Sequence, residues 1–120
     1  MTERWYLNTL EIARTVVNAL EEKKGEDILL LDIHEIAYFA EYFVICSATS
    51  DRMLNALADA ALEQVKKNHA LNGRVEGSSS YGWVLVDFGD VVLHLFSPER
   101  RDYYRLEELW AKGKVLLHLQ

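Results

Sequence analysis

Period-two alternation is clearest between Trp83 and Phe96, where "WVLVDFGDVVLHLF" reads as two apolar runs folded about Asp87 to Asp90. A loop made of Phe88 and Gly89 would set Asp87 opposite Asp90, Leu85 opposite Val92 and Trp83 opposite His94, with Val84 facing Leu93 and Val86 facing Val91. One face is then Val84, Val86, Val91, Leu93 and Leu95, with no polar side-chain atom, as a core-facing surface requires. The other carries Trp83, Leu85, Asp87, Asp90, Val92, His94 and Phe96, a mixture that fits neither plain core nor plain solvated surface.

Helical spacing governs two other stretches. From Thr2 to Lys24, the residues Leu10, Ala13, Val16, Val17 and Leu20 keep one face, Thr2 can cap the start, and Gly25 follows the basic end. Leu54, Leu57, Ala58, Ala61, Leu62 and Val65 trace a second stripe, entered through Thr49 or Ser50 and ended by Asn72-Gly73. Between them "DILLLDI" and "EYFVICS" are continuous apolar runs short enough for buried strands. The polar "RVEGSSSYG" leads into the hairpin, and Ser97-Pro98-Glu99 starts one or two short terminal helices. "KGKVLLHLQ" is either a final strand or a loose end. The order predicts an α+β domain, a mixed β-sheet flanked by helices, spanning 1–120 as one unit.

Composition narrows the function classes. A chain of 120 residues with half its residues apolar suits a single core. No run approaches a membrane span and the N-terminus lacks a signal-peptide plan, so a cytoplasmic protein is expected. The lone Cys46, inside "YFVICS", is expected to be a packed thiol rather than a nucleophile. A net charge of -6 disfavours a broad nucleic-acid surface and favours a basic partner, or simply solubility.

Catalytic chemistry is poorly supported. "CSATSD" between a strand and a helix is similar to the nucleotidyltransferase plan, but that chemistry needs paired carboxylates about two residues apart on one strand. Asp32 is followed two positions on by His34, Asp87 and Asp90 straddle a turn, and Ala48 stands where a phosphate-cradling glycine is expected. His34, His69, His94 and His118 show no zinc spacing with one another or with Cys46, and a Ser47, His94, Asp87 triad would have to be assembled by folding. Asp87 and Asp90 read as turn carboxylates before they read as metal ligands. Trp83 is different: an indole beside Leu85, Val92 and Phe96 is either covered by its own chain or held for a partner. The cover is available in Tyr103, Tyr104, Leu106, Leu109 and Trp110, which one helical stripe cannot bury together.

"YFVICSATSDR", "EGSSSYGWVLVDFGDVVLHLF" and "RDYYRLEELW" together resemble the Iojap family, also called the ribosomal silencing factor RsfS family, in order and spacing over nearly the whole chain. The series Glu76-Gly77, Trp83, Asp87, Gly89-Asp90 and His94, then Tyr104, Leu106-Glu107 and Leu109-Trp110, carries the resemblance. Ala48, Glu41 and Lys112-Gly113 depart from the family's usual Gly, Asp and Asp-Ala. The resemblance implies a noncatalytic nucleotidyltransferase-like fold, without a cofactor, that binds the large ribosomal subunit on large-subunit ribosomal protein fourteen. It also implies obstruction of subunit joining and repression of translation, particularly when nutrients are short, with a link to late subunit assembly. The expected contact set is Trp83, Leu85 and His94 at the centre, Asp87 and Asp90 toward partner Lys or Arg, and Tyr104, Leu109 and Trp110 flanking. Competing readings are a nucleotidyltransferase-like enzyme or nucleotide-binding protein, and a homodimer built on the mixed face.

Overall fold

The two uninterrupted apolar runs occupy the middle of a sheet whose two faces both carry buried residues. The structure, a computed structural model, describes residues 2–105, 108 and 113–120, with side chains described for 8–103, 105, 108 and 113–120. In chain order the elements are α1 (Thr2–Glu22), β1 (Glu26–Asp32), β2 (Tyr42–Ser47), α2 (Asp51–His69), β3 (Arg74–Ser78), a 3-10 turn (Ser79–Tyr81), β4 (Trp83–Asp87), β5 (Val91–Phe96), α3 (Pro98–Tyr104) and β6 (Lys114–Leu119). The strands form one six-stranded sheet in the order β3-β4-β5-β2-β1-β6. β2 and β5 run parallel, while the other neighbours are antiparallel. The expected α+β class with a mixed sheet is therefore the one found.

Alternation explains why β2 has no polar gap. Tyr42, Val44 and Cys46 face α1 and α2 in the larger core cluster, together with Leu20, Leu57 and Leu93. Phe43 and Ile45 face the other way, into a smaller cluster with Leu29, Leu31, Ile33 and Phe96. Each Val, Leu, Ile or Phe side chain that enters either cluster contributes on the order of 1.5–3 kcal/mol by leaving water. Helix α2 meets the larger cluster with Leu54, Leu57, Ala58, Ala61 and Val65, the stripe its spacing predicts.

Ser50 caps α2 through its side-chain oxygen, which accepts from the Met53 N–H at 3.1 Å. Ser50→Ala is expected to lower unfolding free energy by about 1 kcal/mol in urea titration, with Ser50→Asp restoring it. The helix ends at His69, ahead of the expected Asn72-Gly73, because Ala70 takes a left-handed φ of 52° and returns its N–H to Lys66. Ser97 caps α3 in the predicted way, accepting from the Arg100 N–H, with Pro98 in the first turn.

Three further expectations change. The hairpin loop is Gly89-Asp90, so Phe88 N–H donates to the Val91 carbonyl at 2.9 Å. Trp83 consequently pairs with Phe96, Leu85 with His94 and Asp87 with Val92. Every partner moves by two residues, so the two predicted faces survive intact. The physical reason is Phe88, which buries its ring in the larger cluster instead of capping a turn, while Gly89 adopts the φ of 93° the turn needs. "RVEGS" is a strand, β3, whose five residues are all exposed, so no apolar alternation marks it in the sequence. "KVLLHL" is β6, a strand on β1, which resolves the open choice for the tail.

Candidate functional site

The smaller cluster turns Trp83 and Leu85 outward at its rim, both half-buried, on the sheet face opposite α1 and α2. Trp83 lies 5.1 Å from Phe96 and 6.0 Å from His94, ring centre to ring centre. His94 in turn meets Phe43 edge-on at 4.8 Å, and Phe43 lies 6.1 Å from Phe39. A continuous band of aromatic rings thus crosses three strands, from the 33–41 connection over β2 and β5 to β4, each pair within the range at which such contacts add stability beyond simple burial. At the connection the band reaches solvent, since Tyr38 is fully exposed and Phe39 is 56% exposed.

His94 takes a position that differs from the expected contact role. It is 5% exposed, beneath the rim rather than on it. Trp83 Nε1–H donates to His94 Nδ1 at 3.3 Å, which fixes the imidazole as the neutral Nε2–H form. Burial pushes its pKa down from 6.5 to about 4. His94 Nε2 is buried and unpartnered among the described residues. The Trp83, Phe43 and Phe96 rings lie against it, and it holds the Trp83 indole by that ring's only polar atom.

The two turn acids separate. Asp87 Oδ1 accepts from the Gly89 N–H at 2.8 Å, and its other oxygen lies 3.5 Å from Arg74 Nη2. This is the turn-closing role anticipated for it. Asp90 contributes its backbone carbonyl, which accepts from Glu41 N–H and Tyr42 N–H and ties the hairpin tip to the start of β2. Leu109 and Trp110 lie outside the described residues, as does the side chain of Tyr104, whose backbone closes α3.

The side chains weighed above for catalysis or phosphate binding make other contacts. Ser47 accepts from Arg101 Nη1 at 2.9 Å, and Arg101 also donates to the Asp27 carbonyl at 2.6 Å. With His94 held by Trp83, the Ser47, His94, Asp87 triad is not assembled. Asp32 is engaged by His34, whose backbone N–H donates to Oδ1 at 3.2 Å and whose ring bonds the same oxygen, raising the His34 pKa. The Ala48 N–H donates to the Phe96 carbonyl at 3.1 Å, so this amide extends the sheet instead of facing an anion. Cys46 is buried, and desolvation lifts its thiol to about 12, the behaviour of a packed side chain.

The sequence missed Phe43, Glu76 and Tyr81 as parts of this face. Phe43 was signalled by its odd position in "YFVICS", off the helix-facing set. Glu76 and Tyr81 surround Trp83 only because β3 pairs with β4, which the exposed composition of β3 hid.

These features define an α+β domain whose sheet carries an outward aromatic and acidic face. Comparison with known proteins gives the family: the model described as "Ribosomal silencing factor during starvation" matches residues 6–119. The chain belongs to the ribosomal silencing factor RsfS family. It is 40% identical over 109 residues to "Ribosomal silencing factor RsfS" of Bacillus subtilis, covering 91% of this chain and 92% of that one. It is 32% identical over 106 residues to "Protein Iojap, chloroplastic" of maize, covering 87% of this chain and 45% of that protein. A crystal structure of a Chromobacterium violaceum protein superimposes with a TM-score of 0.81 at 35% identity, covering 90% of this chain and 92% of that one. The Bacillus subtilis relative is named as a ribosomal silencing factor. Among the described residues no helix is long and apolar enough to cross a membrane.

Proposed function

We propose that this chain binds the large ribosomal subunit on large-subunit ribosomal protein fourteen and, while bound, prevents the small subunit from joining. The observation that carries the reading is Trp83, an indole half-exposed at the rim of an apolar cluster and anchored from below by His94. Central aromatic anchors of this kind dominate protein interfaces. In this reading Trp83 and Leu85 make the contact core, with His94 positioning Trp83. Asp87 and Asp90 meet Lys or Arg of the basic partner, and Tyr104, Leu109 and Trp110 flank them. The net charge of -6 favours encounter with such a partner.

Repression then follows from shape rather than catalysis. The accessible surface is 7338 Å², so a standard contact of about 800 Å² per partner takes roughly a ninth of it. The extents are 42 × 32 × 24 Å, and even the shortest holds an opposing surface far beyond contact distance. The same property would repress translation when joining is limiting, as under nutrient shortage. Purified chain mixed with separated ribosomal subunits is expected to cosediment with the large subunit alone and to reduce joining. Failure to bind either subunit at moderate salt would remove the reading. A homodimer on the same face would compete with the ribosome, and light scattering across a dilution series separates the two.

A further inference from the structure

Beside Trp83 the sheet face holds a pocket of about 250 Å³, lined by Glu76, Gly77, Tyr81, Trp83 and Leu85. That is below the roughly 300–1,000 Å³ of small-molecule sites and suits one long side chain. The β3–β4 register builds it: Glu76 pairs with Leu85 and Ser78 with Trp83, so their side chains share one face. Gly77 is required at its floor, because it has φ of 83° and a Cβ there would lie 2.4 Å from the Trp83 carbonyl oxygen.

The walls are aromatic and aliphatic, and the one charged lining residue is a carboxylate. The lining surface is almost wholly apolar, and the Glu76 carboxylate, whose side chain is 57% exposed, stands on its solvent side beside Arg74. A Lys or Arg side chain satisfies both parts, its stem against Leu85 and Trp83 and its charge beside Glu76 and the ring faces. The same corner already holds two guanidinium groups of its own chain. Arg100 sits over the Tyr81 ring with its Cζ 4.6 Å from the centroid. Arg74 Nη2 lies 3.6 Å from Glu76 Oε2 and 3.5 Å from Asp87 Oδ2, bridging the two acids on the rim. The Arg74 side chain is 75% exposed, and pairs that open to water hold weakly.

We propose that the Glu76, Tyr81, Trp83 pocket receives an Arg or Lys side chain of a basic protein partner, and that Arg74 is a resident cation which the partner displaces. The proposal rests on the docking reading given above and adds the chemistry of one subsite to it. Arg74 then tempers affinity, because the partner's cation must compete for two carboxylates that are already occupied.

The test is a cosedimentation titration of the purified chain against separated large ribosomal subunits. Arg74→Ala should tighten binding about threefold and Glu76→Gln should weaken it about fivefold. The gain from Arg74→Ala should be largely lost in the Arg74→Ala, Glu76→Gln double variant, since the two residues act through one pair. Lys67→Ala, which makes the same charge change on α2 behind the sheet, should match wild type within about 1.5-fold and so separates the pocket from net charge. Circular dichroism confirms that each variant is folded. Unchanged or weaker binding by Arg74→Ala, with wild type bound and Trp83→Ala impaired, overturns the pocket while leaving the docking reading in place. No binding by wild type overturns both.

Discussion

Replacing Trp83 with alanine is expected to weaken binding to the large ribosomal subunit by roughly thirtyfold or more, the effect of about 2 kcal/mol lost at a central anchor. The indole sits at the rim of the smaller cluster, tilted against Phe96 at 5.1 Å and bonded through Nε1 to His94. Truncation removes the contact area and leaves His94 Nδ1 without its donor, so the variant tests the face as a whole. Trp83→Phe separates the two contributions: it keeps most of the ring area and loses the hydrogen bond that orients the ring, and its affinity should fall between wild type and Trp83→Ala. Binding is read by cosedimentation and the fold by circular dichroism and urea unfolding. A folded Trp83→Ala chain that binds like wild type would place the contact elsewhere on the domain.

Acidification should destabilise the fold through His94 by about 3 kcal/mol between pH 7 and pH 4. The folded-state pKa is depressed, from 6.5 to about 4, because burial penalises the imidazolium. Over that window the unfolded chain binds the proton and the folded chain does not, so stability is present above about 6.5 and is lost as pH falls toward 4. Protonation would also occupy Nδ1, the atom that accepts from Trp83, so acid both weakens the fold and releases the anchor. His34 acts in the opposite sense: its raised pKa gives stability at low pH that is lost as pH rises, but it is exposed and its share is small. Urea unfolding at pH 7 and pH 4, on wild type and on His94→Phe, checks the expectation. The variant should lose most of the extra acid sensitivity; an equal loss in both chains would assign it to carboxylates instead.

The two predictions share one piece of geometry. A neutral, buried histidine is a rigid acceptor, and a rigid acceptor keeps the indole oriented before any partner arrives. Preorganisation of this kind lowers the cost of ordering an interface side chain on binding. On the proposed docking reading, His94 supports the contact by holding the Trp83 indole in place. The sequence points to His94 as a contact residue beside Trp83 and Leu85; only its burial shows it as their support.

Local pattern carried much of the architecture. The stripe of α2, the caps at Ser50 and Ser97, the buried runs of β1 and β2 and the two faces of the hairpin all follow from period and propensity, which act between near neighbours in the chain. The faces survived a wrong loop because side-chain direction repeats every two residues and the register error was two. The family was legible too, since its residues lie in ordered blocks along the whole chain. Tertiary structure alone decided the rest. β3 is held to β4 by backbone pairing, to which its exposed side chains give no clue, and β6 is a strand because β1 offers an edge. Packing of Phe88 into the core chose Gly89-Asp90 as the turn. Burial of His94 under three aromatic rings, contributed by β2, β4 and β5, made it a support for Trp83. Convergence of Glu76, Tyr81 and Trp83 into one pocket depends on the same long-range pairing. Such contacts join residues that are distant in sequence, and no local period records them.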